Sequence, residues 1–489
     1  MNQHKTEGRI GRHLHAASLT AAFIALLVVL NVIVLALTEF YGWYVYVAPQ
    51  YEHRAEGVAA SYFENEKDKK VDVIFCMEED DLRNDIVYNL VWQTACQYKE
   101  KYAFINIKNI NIYLEPQEVN RFKEVYDSDG NKIGEQNITR DTVIFSSGDR
   151  FTVFRMSDFF FLTSEQRITA YNGEEFMASG IRYVLDDVRP IVYFTTGHGE
   201  QISSAYAQLF VCAGYEMRTI DLSREESVLD ERASVLVCMN PLYDFEKAAE
   251  DSGLHTDIDR LEEFIRKGGT FQLFLDPYVR GLDNLSGFLH TYGLSMKNGT
   301  VLRADEKDAV SIDGYTLMPT YASGDAADRI EALVGEVSSS RLIAKEVSPL
   351  TLQEKNDKGF SVQPLLYAGN LSVPYENGKA VGEEGAYPFA ALSSQKNGGS
   401  VALFSGMFMT AQDILQSDQR ANRDFFYSLL EYTEEAKTPK GATTLVFEST
   451  LLENLTIAES NRYARILILW VPLAVTLVGA VLLLKRKRA

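Results

Sequence analysis

Apolar residues gather in two kinds of run along this 489-residue chain. Two long runs stand near its ends, at 16–37 and 466–484, and neither contains a charge. As helices rising about 1.5 Å per residue, the first covers a hydrocarbon core of about 30 Å and the second reaches across with little to spare. The runs between them are short and broken by turns. Residues 71–77 (VDVIFCM) read as a strand, 81–98 as a helix with Ile86, Leu90, Val91 and Ala95 on its apolar face, and 104–112 as an alternating strand. Residues 141–147 and 151–156 flank Gly148-Asp149 as a hairpin, and 171–187, containing Gly173-Glu174-Glu175-Phe176, close the set as a helix. These elements predict a small α/β domain over 45–187, thioredoxin-like in proportions but without a redox cysteine pair, and so a packing or interaction module.

A larger α/β domain is expected over 188–435. Its strands fall at 191–196, 216–222, 234–240, 270–276 and 400–409, alternating with helices. The helix at 256–267 buries Ile258, Leu261, Phe264 and Ile265, opens on a Thr256/Asp259 capping pattern and stops at Gly268-Gly269. Another helix covers 422–432. Alternating strands and helices imply a mostly parallel sheet with helices on both faces, of the flavodoxin/amidotransferase-like kind. Residues 296–398 are less regular and read as an insertion, and 436–465 as a stalk leading to the second apolar run.

Charge orients this scheme. The N-terminal 1–15 are mildly basic and the chain ends in Lys485-Arg486-Lys487-Arg488-Ala489, so both ends are expected in the cytoplasm and 485–489 as a basic tail. The body between the two transmembrane helices is then extracytoplasmic. Phe40, Tyr41, Trp43, Tyr44 and Tyr46 follow the first run as an interfacial belt. Asn31 sits inside that run, where an amide is costly against lipid, and is the candidate for a contact with another membrane helix. A net charge of −20, with no basic footprint in any domain, argues against nucleic acid as a partner and against docking on anionic lipid. Cys76, Cys96, Cys212 and Cys238 all lie in apolar runs without a C-x-x-C pair, and are expected as reduced thiols.

The candidate chemistry follows the strand at 191–196. Gly197-His198-Gly199-Glu200 places an imidazole and a carboxylate between strand and helix, where α/β sheets bind ligands. Asn240 and Asp276 end neighbouring strands and complete a candidate polar cluster. One reading is an acid/base pair or a metal site; the other is a tight turn whose His198 and Glu200 bond loop backbone, with or without a ligand. Metal binding lacks further ligands at useful spacing, since no H-x-x-x-H or His/Cys cluster occurs. A nucleophilic hydrolase lacks its elbow: Cys238 lies mid-strand, Cys212 lies in a helix, and there is no G-x-S-x-G. A phosphate-binding G-x-x-x-x-G-K-[ST] is absent as well, so the chain is not expected to hydrolyse ATP. No cofactor is expected.

The arrangement resembles the GldG-like auxiliary proteins of bacterial ABC-type transport systems. The likeness rests on G-E-E-F at 173–176, P-x-V-Y-F-x-x-GHGE at 190–200, Ala213-Gly214-Tyr215 and Asp221-Leu222. It continues through Asn240-Pro241, Lys267-Gly268-Gly269, Leu275-Asp276-Pro277 and Asn422-Arg423-Asp424-Phe425-Phe426, to Pro439-Lys440 and the last apolar run. Ser405-Gly406-Met407 departs from it, because that family commonly carries Gly-Asp there. The resemblance implies a non-enzymatic accessory subunit with a separately encoded permease and ATPase as partners, and an unidentified extracytoplasmic substrate or protein. The alternatives are a surface hydrolase or metal-dependent enzyme using the GHGE turn, and an envelope scaffold without a transporter.

Overall fold

Val71 and Val73 alternate with polar Asp72 and start the central strand of the first sheet, β1 (Val71–Phe75). The computed structural model describes residues 62, 69–126, 132–162, 167–224, 227–247, 256–396, 398–417, 419–447, 455–474 and 476–477. The chain divides into Met1–Glu52, which lies outside these residues, and His53–Ala489, to which everything below refers. After β1 come α1 (Tyr88–Lys101), β2 (Ile105–Asn109), the hairpin β3 (Thr142–Ser147) and β4 (Arg150–Arg155), and α2 (Gly173–Leu185). The sheet order is β2-β1-β3-β4, with β2 parallel to β1 and β3 antiparallel. The helix expected over 81–98 is broken. A short helix, Glu79–Asn84, ends before Asp85, whose carboxylate accepts from the amides of Val87 and Tyr88 and starts α1 afresh. Ile86 is therefore in the connection and 78% exposed, not on the buried face. α2 lies close to β3 because Gly180 leaves room for Phe145; a Cβ there would fall 2.4 Å from the ring.

The second sheet begins with β5 (Ile191–Thr196), followed by α3 (Ser204–Cys212), β6 (Glu216–Asp221), β7 (Ala233–Met239), α4 (Asp257–Arg266), β8 (Thr270–Phe274) and α5 (Asp283–Thr291). Then come α6 (Asp325–Gly335), β9 (Ser361–Tyr367), β10 (Pro388–Ser394), β11 (Ser400–Phe404) and α7 (Asn422–Glu434). The order is β6-β5-β7-β8-β11-β10-β9, with Thr320–Tyr321 at the far edge. From β6 to β11 every pairing is parallel, and from there to the edge every pairing is antiparallel. Residues 296–398 thus do more than insert: β9, β10 and Thr320–Tyr321 extend the sheet beyond the parallel core. Strand β5 buries both faces. Val192 and Phe194 join the same apolar cluster as Phe75 and Trp92, while Ile191 and Tyr193 face a second cluster with Leu261 and Phe264. The protein is a mixed α/β fold.

Residues 436–447, expected as part of a stalk, are instead packed on the body. Thr438, Ala442 and Thr444 are buried, and Leu445–Val446 pairs antiparallel with Ile168–Tyr171. The last helix, α8 (Ile457–Arg465), continues into a wider turn at Ile466–Trp470 whose side chains are exposed. Among the described residues no helix is long and apolar enough to cross a membrane. The first apolar run, Asn31 within it, residues 478–484 of the second run and the basic tail lie outside the described residues. All four cysteines are unpaired thiols; Cys76, Cys212 and Cys238 are buried and Cys96 is half-buried.

Candidate functional site

Among the five parallel strands, chain order runs 2-1-3-4-5 across the sheet, so the connection reverses direction between β5 and β7. Ligands in open α/β sheets bind in the crevice at such a reversal, outside the carboxyl ends of the strands. The GHGE turn leaves β5 at that point. Gly197 takes φ +107° and Gly199 φ +77°, conformations that L side chains rarely adopt. The backbone between them turns so that the His198 carbonyl accepts from the amides of Leu242 at 2.8 Å and Tyr243 at 2.9 Å, in the loop that follows β7.

That loop closes over the turn. Phe245 stacks on the His198 ring at 4.0 Å between centroids and 4° between planes. Beneath it, His198 Nδ1 faces Glu200 Oε1 at 3.3 Å and Nε2 faces Asp257 Oδ2 at 3.0 Å. Glu200 Oε2 also accepts from the His198 amide at 2.8 Å, and Asp257 Oδ2 from the Glu246 amide at 2.8 Å. His198 is 3% exposed and Asp257 1%. Burial opposes the charged ring, but hydrogen bonds to Asp257 and Glu200 overcome it and lift the His198 pKa to about 9. Burial likewise pushes Glu200 up, yet the bonds from His198 and the backbone amides hold its carboxyl below the usual range. The result is a buried imidazole held between two carboxylates that favour its charged form. Both ring nitrogens are engaged by carboxylates and one ring face is covered by Phe245. Chemically, the arrangement fastens the turn to the β7 loop and the first turn of α4.

Asn240 and Asp276 form a different group. Asn240 stands at φ 50°, which asparagine tolerates, and its Oδ1 accepts from the Asp276 amide at 3.3 Å. Its Nδ2 reaches Gln201 Oε1 at 3.4 Å, and the Asp276 carboxylate caps its own turn by accepting from the Tyr278 amide at 2.8 Å. The expected joining of Asp276 to the imidazole does not occur: His198's carboxylate partners are Glu200 and Asp257. Beside Asp276 lies a cleft of about 50 Å³ lined by Leu275, Val279, Leu282 and Met296 among others. That is room for a few waters, well short of the several hundred Å³ of a small-molecule pocket. Asp257 was not legible as a partner, because an acidic residue in the first turn of a helix is an ordinary response to the helix dipole.

A second polar group was also missed. Glu174 and Glu175, on α2, are 1% and 2% exposed. Glu175 receives Arg423 Nη1 at 3.3 Å, together with the Tyr427 hydroxyl and the Asn172 amide. Arg423 also donates to Thr444 Oγ1 at 2.8 Å and to the Ala442 carbonyl. Glu174 Oε2 accepts from the Thr443 amide at 3.1 Å and its hydroxyl at 2.9 Å. The G-E-E-F and N-R-D-F-F segments thus meet in one buried network joining α2, α7 and residues 442–444.

The fold and site define a mixed α/β protein in which His198 and Glu175 are each bonded to buried side chains from elsewhere in the chain. No family model matches the chain, and no curated protein does. Solved structures with weak likeness include a ThuA-like protein from Bacteroides uniformis, 11% identical with a TM-score of 0.31, covering 51% of this chain and 94% of that one. A catalytic mutant of a GH42 β-galactosidase from G. stearothermophilus is 14% identical with a TM-score of 0.26, over 53% and 32%. A cytoplasmic protein from Salmonella typhimurium is 9% identical with a TM-score of 0.28, over 50% and 98%.

Proposed function

We propose that this chain is a non-enzymatic, membrane-anchored, extracytoplasmic accessory subunit of a bacterial ABC-type transport complex, of the GldG-like kind. The observation that carries the reading is the state of His198: both nitrogens are engaged by buried carboxylates and the turn around it is closed by Leu242, Tyr243 and Phe245. A turn built this way supports a rigid body better than a reaction centre. The Glu175–Arg423 network supports the same reading, since the other motif pieces are also spent on internal bonding. In this proposal the first sheet, with its 2-1-3-4 order, is a thioredoxin-like module and the second a flavodoxin/amidotransferase-like one. The two apolar runs, 16–37 and 466–484, are membrane spans with both termini cytoplasmic. The exposed side chains of Ile466, Leu467, Ile468, Leu469 and Trp470 favour a lipid surround for the second, because water would be a costly one.

The partners are a permease and an ATPase encoded separately. A mild-detergent pull-down of the full chain should recover both, with Asn31→Leu and His198→Ala as parallel baits. Loss with the Asn31 change would assign the contact to the membrane, and loss with the His198 change to the outer body. Failure of the unaltered chain to recover any transporter component across several detergents would sink the reading.

A further inference from the structure

The first turn of α8 is gripped by the body. Helices leave their first backbone N–H groups unpaired, aimed along the axis toward whatever lies at the amino end. Here the Ile457 amide donates to the Ala309 carbonyl at 2.9 Å and the Ala458 amide to the Glu306 carbonyl at 3.0 Å, so the helix axis points at a defined loop of the body. The next donor is satisfied locally: Glu459 N reaches Thr456 Oγ1 at 3.3 Å, and Glu459 Oε2 accepts from Thr456 N at 2.9 Å, a reciprocal capping box. Thr456 itself is 3% exposed.

The same Glu459 carboxylate receives Arg341 as a fork, Nη2 to Oε1 at 2.9 Å and Nη1 to Oε2 at 3.2 Å. A surface ion pair alone adds little, but this one closes a turn already held by two backbone bonds and a cap. Arg341 is tied in on its other side. Its carbonyl accepts from the Ala421 amide at 3.2 Å, and the side-chain amide of the next residue, Asn422, both accepts from Ile343 N at 3.0 Å and donates to Ile343 O at 2.9 Å. Ala421 and Asn422 begin α7, which carries Arg423. Contacts therefore run unbroken from α8 through Arg341 to α7 and on to Glu175.

We propose that α8 and the α/β body form one rigid element, latched by Thr456 and the Arg341–Glu459 fork. The apolar helix beyond Arg465 then holds the body at a fixed attitude to the bilayer. The inference about attitude rests on the membrane reading above; the rigidity of the joint does not.

The test is a pulsed electron-spin distance measurement on the full chain, with Cys96→Ser to remove the half-buried thiol and labels at Glu331→Cys on α6 and Asn461→Cys on α8. It is made both in a detergent micelle and in a lipid nanodisc. One narrow distance is expected in each, broadening at least twofold in Arg341→Ala and, independently, in Thr456→Ala, while circular dichroism shows the body still folded. A broad distribution in the unaltered chain, or a narrow one that survives both substitutions, overturns the latch. A chain that stays out of the nanodisc yet keeps the narrow micelle distance overturns the membrane reading and leaves the rigid joint standing.

Discussion

Glu175 and Arg423 stand 248 residues apart in sequence and 3.3 Å apart in the fold. Both are almost wholly shielded from water, so each charge depends on the other and on the polar groups around it. Removing one member of a buried pair leaves an uncompensated charge and costs about 3–5 kcal/mol, whereas the intact pair is worth much less against an apolar replacement. Arg423→Leu and Glu175→Gln should therefore each lower the unfolding free energy by about 3 kcal/mol. The double variant should lose distinctly less than the sum. Denaturant unfolding of the four proteins checks this, and additive losses would show that the pair is not coupled.

His198 links stability to pH. Its folded pKa, about 9, lies above the ordinary 6.5, so the folded chain holds this proton more tightly than the unfolded one. The contribution is complete below about 6.5 and is lost as pH rises through 9. Melting temperature followed from pH 6 to pH 9.5 should fall, and the fall should flatten in His198→Gln. A histidine free of its two carboxylates would contribute no slope over this range, and the His198→Gln profile would then match the parent's.

Much of the strand pattern could be read directly from the chain, because β5, β7, β8 and β11 are buried on both faces and need continuous apolar runs. The hairpin of β3 and β4 announced itself through Gly148-Asp149. What stayed hidden was decided by distance in space. Asp257 looks like any acidic residue opening a helix, and only the return of the β7 loop brings it to His198. Glu174 and Glu175 look like a solvated helix face until α7 and residues 442–444 cover them. The break after Asn84 depends on Asp85 capping the following turn, a local competition that a periodicity count overlooks. Strands β9 and β10 are hidden for a similar reason: a polar, glycine-rich segment can still add to a sheet edge once the parallel core supplies its partner.

Glu434, the last residue of α7, gives a second pH window. Burial is the main cause that raises its pKa to about 7, against the opposing pull of Thr270 and Ser234 hydroxyls, and its Oε1 is buried without a partner. The carboxyl end of a helix also disfavours negative charge. With the folded pKa above the ordinary 4.5, stability is fully present below about 4.5 and declines as pH rises to 7. Glu434→Gln should remove that decline, leaving the variant more stable than the parent at pH 7.5 by roughly 2 kcal/mol and nearly equal to it at pH 4.5. Equal unfolding curves at pH 7.5 would refute the assignment. The His198 window lies above this one, so the two substitutions flatten different parts of the same profile.

Gly197 offers the sharpest test of the turn itself. Its φ of +107° is outside the range that L residues favour, and a Cβ there would lie 2.4 Å from the Asp221 carboxylate oxygen. Asp221 cannot simply swing aside, because Oδ1 accepts from the Ser223 amide at 3.1 Å and hydroxyl at 2.6 Å while Oδ2 holds Arg224 at 2.9 Å. Gly148, in the β3–β4 hairpin, also has a positive φ, +62°, but a Cβ there would meet nothing. Gly148→Ala should then cost about 1 kcal/mol, the backbone penalty alone. Gly197→Ala should cost at least twice that, and should also lower the pH dependence assigned to His198, since the turn that aims the imidazole at Asp257 would shift. Equal losses from the two alanines, with the His198 pH profile intact, would mean that the turn yields without disturbing the His198–Asp257 contact.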